Sequence, residues 1–133
     1  MESIEKKIVQ FFAGNKEIVS VHLFGSQAKG TAIEKSDVDC AVLFQDRSIP
    51  ETLMLIQMRE FLEEALGKDV DLVCLNTASP IICMQIYKHG KTLFKNDLKQ
   101  YSRYIMKLFT DYFDLKLMRK PFEDNILKRK YYG

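Results

Sequence analysis

Closely spaced metal ligands are absent from this sequence. The three cysteines, Cys40, Cys74 and Cys83, are odd in number and no pair has the spacing of a zinc knuckle, while the two histidines, His22 and His89, lie far apart. A structural zinc site needs several such ligands converging, so none is expected. Two of the cysteines fall inside apolar runs, where a thiol behaves as a small hydrophobe. All three are expected to be reduced core or near-core residues of a cytoplasmic protein. An excess of one charge is also absent: 20 Lys and Arg against 18 Asp and Glu leave a net +2. A duplex-binding domain concentrates far more basic residues on one face, so no direct nucleic-acid binding is expected. Long apolar runs are missing too. The N-terminal MESIEKKIVQFF carries Glu2, Glu5, Lys6 and Lys7 and has no apolar stretch long enough for a signal peptide or membrane span, so export is not expected. There is no internal repeat and no low-complexity linker.

What is present is an ordinary globular composition, 47% hydrophobic and 29% charged over 133 residues. That is room for a single domain, 1–133, burying roughly two-thirds of the surface its unfolded chain exposes. Ile4, Ile8, Phe11 and Phe12 recur at helical spacing before Gly14-Asn15, predicting a helix over 2–13. IVSVHLF (18–24) and VDCAVLF (38–44) are β-branched or apolar runs with abrupt polar ends, which predicts two strands. After Pro50, Leu55, Met58, Leu62 and Leu66 mark one face of a helix that Gly67 ends. DVDLVCL (69–75) is a third strand, again preceded by acids. Ser79 as N-cap, Pro80 at the first position and Gly90 just past the end bracket a short helix, and KTLF follows as a brief strand. From Leu98 on, Leu98, Tyr101, Ile105, Leu108, Tyr112 and Leu115 alternate by three and four, predicting a helix of about five turns over 97–119. Phe109, Phe113 and Leu117 form a second apolar line on it. A helix lying on a sheet needs only one such face, so this one is either well buried or a partner-docking surface. The tail ILKRKYYG reads as a solvated terminus.

The chemistry is concentrated in FGSQAKGTAIEKSDVDCAVLF, residues 24–44. Side chains two apart on a strand share a face, so Asp37 and Asp39 converge while Val38 turns into the core. At about 5 Å and an effective dielectric near 20, their repulsion is on the order of 3 kcal/mol, a large fraction of a small domain's stability. A bound divalent cation offsets it, and hard carboxylate ligands select Mg²⁺ or Mn²⁺. Asp71 stands at the corresponding start of another strand and can bring a third carboxylate to the same edge. Three carboxylates on two strands suit a pair of metal ions about 4 Å apart, the arrangement for in-line displacement at phosphorus. The Gly25-Ser26 turn supplies the complementary half: close backbone approach, a hydroxyl, and the positive end of a short helix, together a phosphate cradle. Lys29, one turn further on, can reach a triphosphate or sugar, or simply be solvated. Either feature alone also describes an ordinary turn or a solvated start to a strand. Their fixed order and spacing make the signal specific.

Gly25-Ser26, ten intervening residues, then Asp37-Val38-Asp39 resembles the signature of the DNA polymerase beta-type nucleotidyltransferases, and the whole stretch resembles their minimal, MNT branch. VDLVCL resembles the strand of the third acid, and SPIICMQIYKHGKTLF resembles the segment that follows it in MntA-type antitoxins. The resemblance implies an α/β (α+β) fold, a small mixed sheet backed by helices with a long C-terminal helix. It also implies transfer of AMP from ATP, with Mg²⁺, to a tyrosine of a cognate HEPN-family RNase toxin, which silences the toxin within a hetero-oligomer. On that reading Gly25, Ser26 and Lys29 hold the nucleotide. Asp37, Asp39 and Asp71 hold two metal ions, and Asp71 takes the acceptor's proton. Glu34 and Asp69 are assigned to solvent. Lys29 replaces the arginine common at its position, keeping the charge but losing the bidentate fork. Two alternatives remain at this point. One is nucleotidyl transfer to a small molecule such as an aminoglycoside; the other is a non-catalytic antitoxin that acts by binding alone.

Overall fold

A computed structural model describes residues 3–33 and 36–132, with the side chains of Arg119 and of 121–132 left out of the description. The predicted helix start at residue 2, the assignment of Glu34 and the side chains of the basic tail therefore lie outside the described residues. Helix α1 spans Ile4–Phe12. Ser3 caps it by accepting the Lys6 N–H at 3.2 Å, satisfying one of the donors that a helix start leaves unpaired. Its apolar positions four apart bury Ile8 and Phe12. Strand β1 is Ile18–Phe24, and the short helix α2, Gly25–Lys29, follows without a loop. Strand β2 is Val38–Phe44, succeeded by one 3₁₀ turn at Asp46–Ser48 and by helix α3, Thr52–Leu66. Gly67, at φ +67°, closes α3 in the left-handed conformation and donates its N–H to the Glu63 carbonyl. Strand β3 is Val70–Cys74, helix α4 is Pro80–His89 with Ser79 as its N-cap, and strand β4 is Lys91–Lys95. Helix α5 runs from Leu98 to Tyr132.

The four strands form one mixed sheet in the order β3-β2-β1-β4. β1 is antiparallel to β2 and β4, and β2 is parallel to β3. A parallel pair needs a crossover, and α3 supplies it. Where β3 ends, the Asn76 carboxamide clasps both backbone groups of Phe44, accepting its N–H and donating to its carbonyl, each at 2.8 Å.

Register assigns every strand residue to a face. Leu23 pairs with Cys40 and Val21 with Val42, and Cys40 and Val42 pair with Leu72 and Cys74. This face is covered by Ile8 and Phe12 of α1 and Leu62 and Leu66 of α3. Burial of each such side chain contributes about 1.5–3 kcal/mol. The opposite face carries Val19, Ala41, Leu43 and Leu75, under Cys83, Met84 and Ile86 of α4 and Leu108 of α5. All three cysteines are buried and unpaired, and burial pushes the Cys40 thiol up to about 12.

Helix α5 departs from expectation in two ways. It continues well beyond five turns, its backbone remaining helical through Pro121. A proline inside a helix removes one hydrogen bond and crowds the preceding turn without always ending the helix. Its expected seam is buried only in the middle. Leu108 is buried and Tyr101, Ile105 and Tyr112 are half-buried, but Leu98 is exposed, because the helix begins at the margin of the sheet. Of the second line, Phe109 is half-buried and packs edge-on against Tyr87, whereas Phe113 and Leu117 stand in solvent.

Candidate active site

Three residues lie side by side across three strands at one end of the sheet: Phe24 of β1, Asp39 of β2 and Asp71 of β3. Phe24, Asp39 and Asp71 share the face that carries α4 and α5, one pleat outside the row His22, Ala41 and Val73. The apolar strands explain the placement. Val38, Cys40, Val70 and Leu72 are buried on the opposite face, and alternation then fixes Asp39 and Asp71 on this one. Adjacent strands are about 4.8 Å apart, so the two carboxylates are neighbours. Asp37 stands just before β2, exposed.

Asp39 is the constrained member. Burial, then the Asp71 carboxylate, then that of Asp37, push the Asp39 carboxyl above the usual carboxylate range. The same carboxylate lies against Gly25, whose φ is +66°, and a Cβ at that position would collide with Asp39 Oδ2. Gly25 is thus required twice, for its left-handed backbone and for the space its missing side chain leaves. It also opens α2, so the free N–H groups of that short helix face the acidic row, with Ser26 next in line. The Ser26 carbonyl accepts the N–H groups of Gly30 and Thr31, closing α2 tightly. Lys29 occupies the last turn, exposed, at the end of α2 remote from Gly25.

The structure therefore brings together Gly25, Asp39 and Asp71, with Ser26 and Asp37 beside them, and leaves Lys29 further out. Asp69 is exposed outside β3, and its carbonyl accepts the Val38 N–H. Among the described residues no three His, Cys, Asp or Glu side chains are already disposed to hold a metal ion. An open set of this kind suits Mg²⁺, which takes one or two carboxylates together with substrate phosphate oxygens rather than a complete protein cage. The raised Asp39 carboxyl, crowded by two like charges, fits a cation in that position.

Behind the acids the same face holds a polar element that sequence reasoning missed. His22 is buried, and its Nε2 and Nδ1 lie 2.8 Å from the Ser20 hydroxyl and 2.9 Å from the Thr92 hydroxyl. Tyr101 of α5 stacks on its ring at 5.7 Å. Burial and, secondarily, the Lys95 charge hold the imidazole down at about 4, so it is neutral. The one sequence signal was a Ser-x-His alternation within an apolar strand.

The sequence pattern described for the polymerase beta nucleotidyltransferase domain covers residues 6–99, from α1 into the start of α5. The chain belongs to the polymerase beta nucleotidyltransferase family. Among this family's members, it is 31% identical over 124 residues to the protein adenylyltransferase MntA of Shewanella oneidensis, spanning 92% of this chain and 87% of that one. It is 47% identical over 53 residues to MntA of Thermococcus cleftensis, 40% of this chain and 52% of that one. Solved nucleotidyltransferase folds superpose over nearly the whole chain. A toxin–antitoxin crystal structure with AMP-PNP gives a TM-score of 0.79 at 31% identity, covering 92% of this chain and 98% of the matched one. A tri-AMPylated Shewanella oneidensis HEPN toxin in complex with MNT antitoxin gives 0.74 at 28% identity, covering 93% and 96%. No helix among the described residues is long and apolar enough to cross a membrane.

Proposed function

We propose that this protein is an antitoxin-type adenylyltransferase that moves AMP from ATP to a tyrosine of a HEPN-family RNase toxin and so silences it. The observation that carries the reading is the row of Asp39 and Asp71 pressed against Gly25, in a chain that matches an MntA protein adenylyltransferase along 92% of its length. The Gly25-Ser26 turn receives the ATP phosphates through backbone N–H groups. Asp37, Asp39 and Asp71 would hold Mg²⁺, two ions with ATP, and the metal would supply neutralisation of phosphate charge and polarisation of the α-phosphorus. Asp71, the more exposed of the two paired strand acids, accepts the proton of the attacking tyrosine hydroxyl. The new O–P bond forms at the α-phosphorus as the bond to pyrophosphate breaks. Lys29, at the far end of α2, is assigned to the outer phosphates on its charge alone. The acceptor comes on a partner, and the solvent-facing apolar pair of α5, Phe113 and Leu117, suits a hetero-oligomeric contact. The buried free thiols fit a reducing, cytoplasmic setting.

Intact mass of the co-expressed HEPN-type protein, after incubation with this protein, Mg²⁺ and ATP, tests the reading. Added AMP units that disappear with Asp37→Asn plus Asp39→Asn are the expected result. Transfer that persists in that folded double variant rejects the site, and a stable complex without any mass change rejects the activity. Phe113→Asp is expected to abolish the complex while leaving ATP binding intact; association at wild-type strength would remove α5 from the interface.

A further inference from the structure

A cleft of about 490 Å³ opens on the same sheet face between α4, α5 and β4, sharing no lining residue with the acidic row or the glycine turn. Its volume lies in the range of small-molecule sites. The floor is buried: Cys83 and Ile86 of α4 are buried, and His22 has both ring nitrogens occupied by Ser20 and Thr92. A floor so tied down has no proton or lone pair to offer, and acts as a fixed wall. The sides are aromatic, from Tyr87, Tyr101 and Tyr104, with the Ser102 hydroxyl at the mouth.

Charge narrows the ligand. Among the described residues, Lys95 is the only lining residue with a full charge at neutral pH, and no carboxylate lines the cleft. Its ammonium lies 4.4 Å from the centroid of the Tyr101 ring. Lys95 is exposed and its stem is flexible, so the cation can leave the ring as another π-system takes its place, and can then meet an anionic group on the newcomer. Aromatic walls of this kind accept any base face, and an ammonium is a point-charge partner for phosphate.

We infer that this cleft is a second ligand site, distinct from the acidic row, that takes a nucleoside monophosphate with its base against Tyr101 and its phosphate at Lys95. The inference goes beyond adenylyl transfer and does not depend on it, because it concerns binding at residues that transfer does not use.

Calorimetric titration of the full chain with AMP, without divalent metal, tests it, with adenosine and inorganic phosphate as separate titrants. AMP is expected to saturate, and adenosine and phosphate each to bind at least roughly tenfold more weakly. Lys95→Met is expected to reduce AMP to the adenosine level. Ser102→Trp, at an exposed position on α5, is expected to fill the cleft and abolish binding with the thermal midpoint unchanged. Gly25→Ala and Asp39→Asn are expected to leave AMP binding within about twofold. Absence of saturation with AMP at millimolar concentration would overturn the proposal. So would binding indifferent to Lys95→Met and Ser102→Trp, or binding lost with Gly25→Ala, which would move the nucleotide to the acidic row.

Discussion

The two faces of the sheet are built from the same four strands and do opposite things. The face under α1 and α3 is apolar throughout, with Ile8, Val21, Cys40, Val42 and Leu62 buried and no polar side chain among them. The face under α4 and α5 carries the buried Ser20 and His22 and then, beyond the cover of the helices, Asp39 and Asp71. The first face holds the larger cluster of buried apolar side chains. The second gives up some stability, since it crowds carboxylates together and desolvates an imidazole. Strand alternation makes this division possible: each residue moved to one face is removed from the other, so a dry core and a charged site share three strands without mixing.

The closed face is the more sensitive of the two to substitution. Leu62→Ala removes a fully buried side chain and is expected to cost about 2–5 kcal/mol in chemical denaturation, with AMP transfer per folded molecule unchanged; a cost below about 1 kcal/mol would deny that face its dominant role. On the open face, Gly25→Ala drives a Cβ into Asp39 and is expected to lower transfer by about 10²-fold, the scale of a misplacement near 1 Å. Its stability cost is smaller, about 1–2 kcal/mol for the positive φ. Transfer at the wild-type rate would mean that the Gly25 and Asp39 contact does not position the acid. The smallest effect concerns His22. Its folded value of about 4 lies below the usual 6.5, so the unfolded chain binds more protons between those limits and stability falls as pH drops from about 6.5 to 4. The loss should reach about 2 kcal/mol, allowing for residual solvent contact, and should flatten in His22→Gln. An identical pH slope in that variant would assign the acid sensitivity to other groups.

Much of this architecture was legible in the sequence. β1 and β2 have the expected bounds, because apolar runs stopped by Gly25 and by the polar residues after Phe44 leave little freedom. The same holds for α4 between Ser79 and Gly90. The spacing of Gly25-Ser26 from Asp37 and Asp39 pointed to the candidate site, and the pairing of β1 with β2 brings Gly25 against Asp39. Three features lay beyond local pattern. The alignment of Asp39 with Asp71 depends on the register of two strands joined through α3. The collision that forbids a side chain at Gly25 exists only once β1 and β2 are paired. His22 finds Thr92 at a separation of 70 residues, so nothing near it in sequence announces a polar relay. α5 runs past the end expected at 119, its backbone helical through Pro121, a residue type that weakens a helix without always ending it.

On the proposed function, the carboxylates of the open face act as one nucleotide-dependent metal site. Electron paramagnetic resonance of Mn²⁺ with a non-hydrolysable ATP analogue measures it directly, comparing the wild type with Asp39→Asn and Asp71→Asn. Mn²⁺ uptake is expected to require the nucleotide and to be lost in each variant. Uptake of equal strength in both variants would contradict that reading of the site.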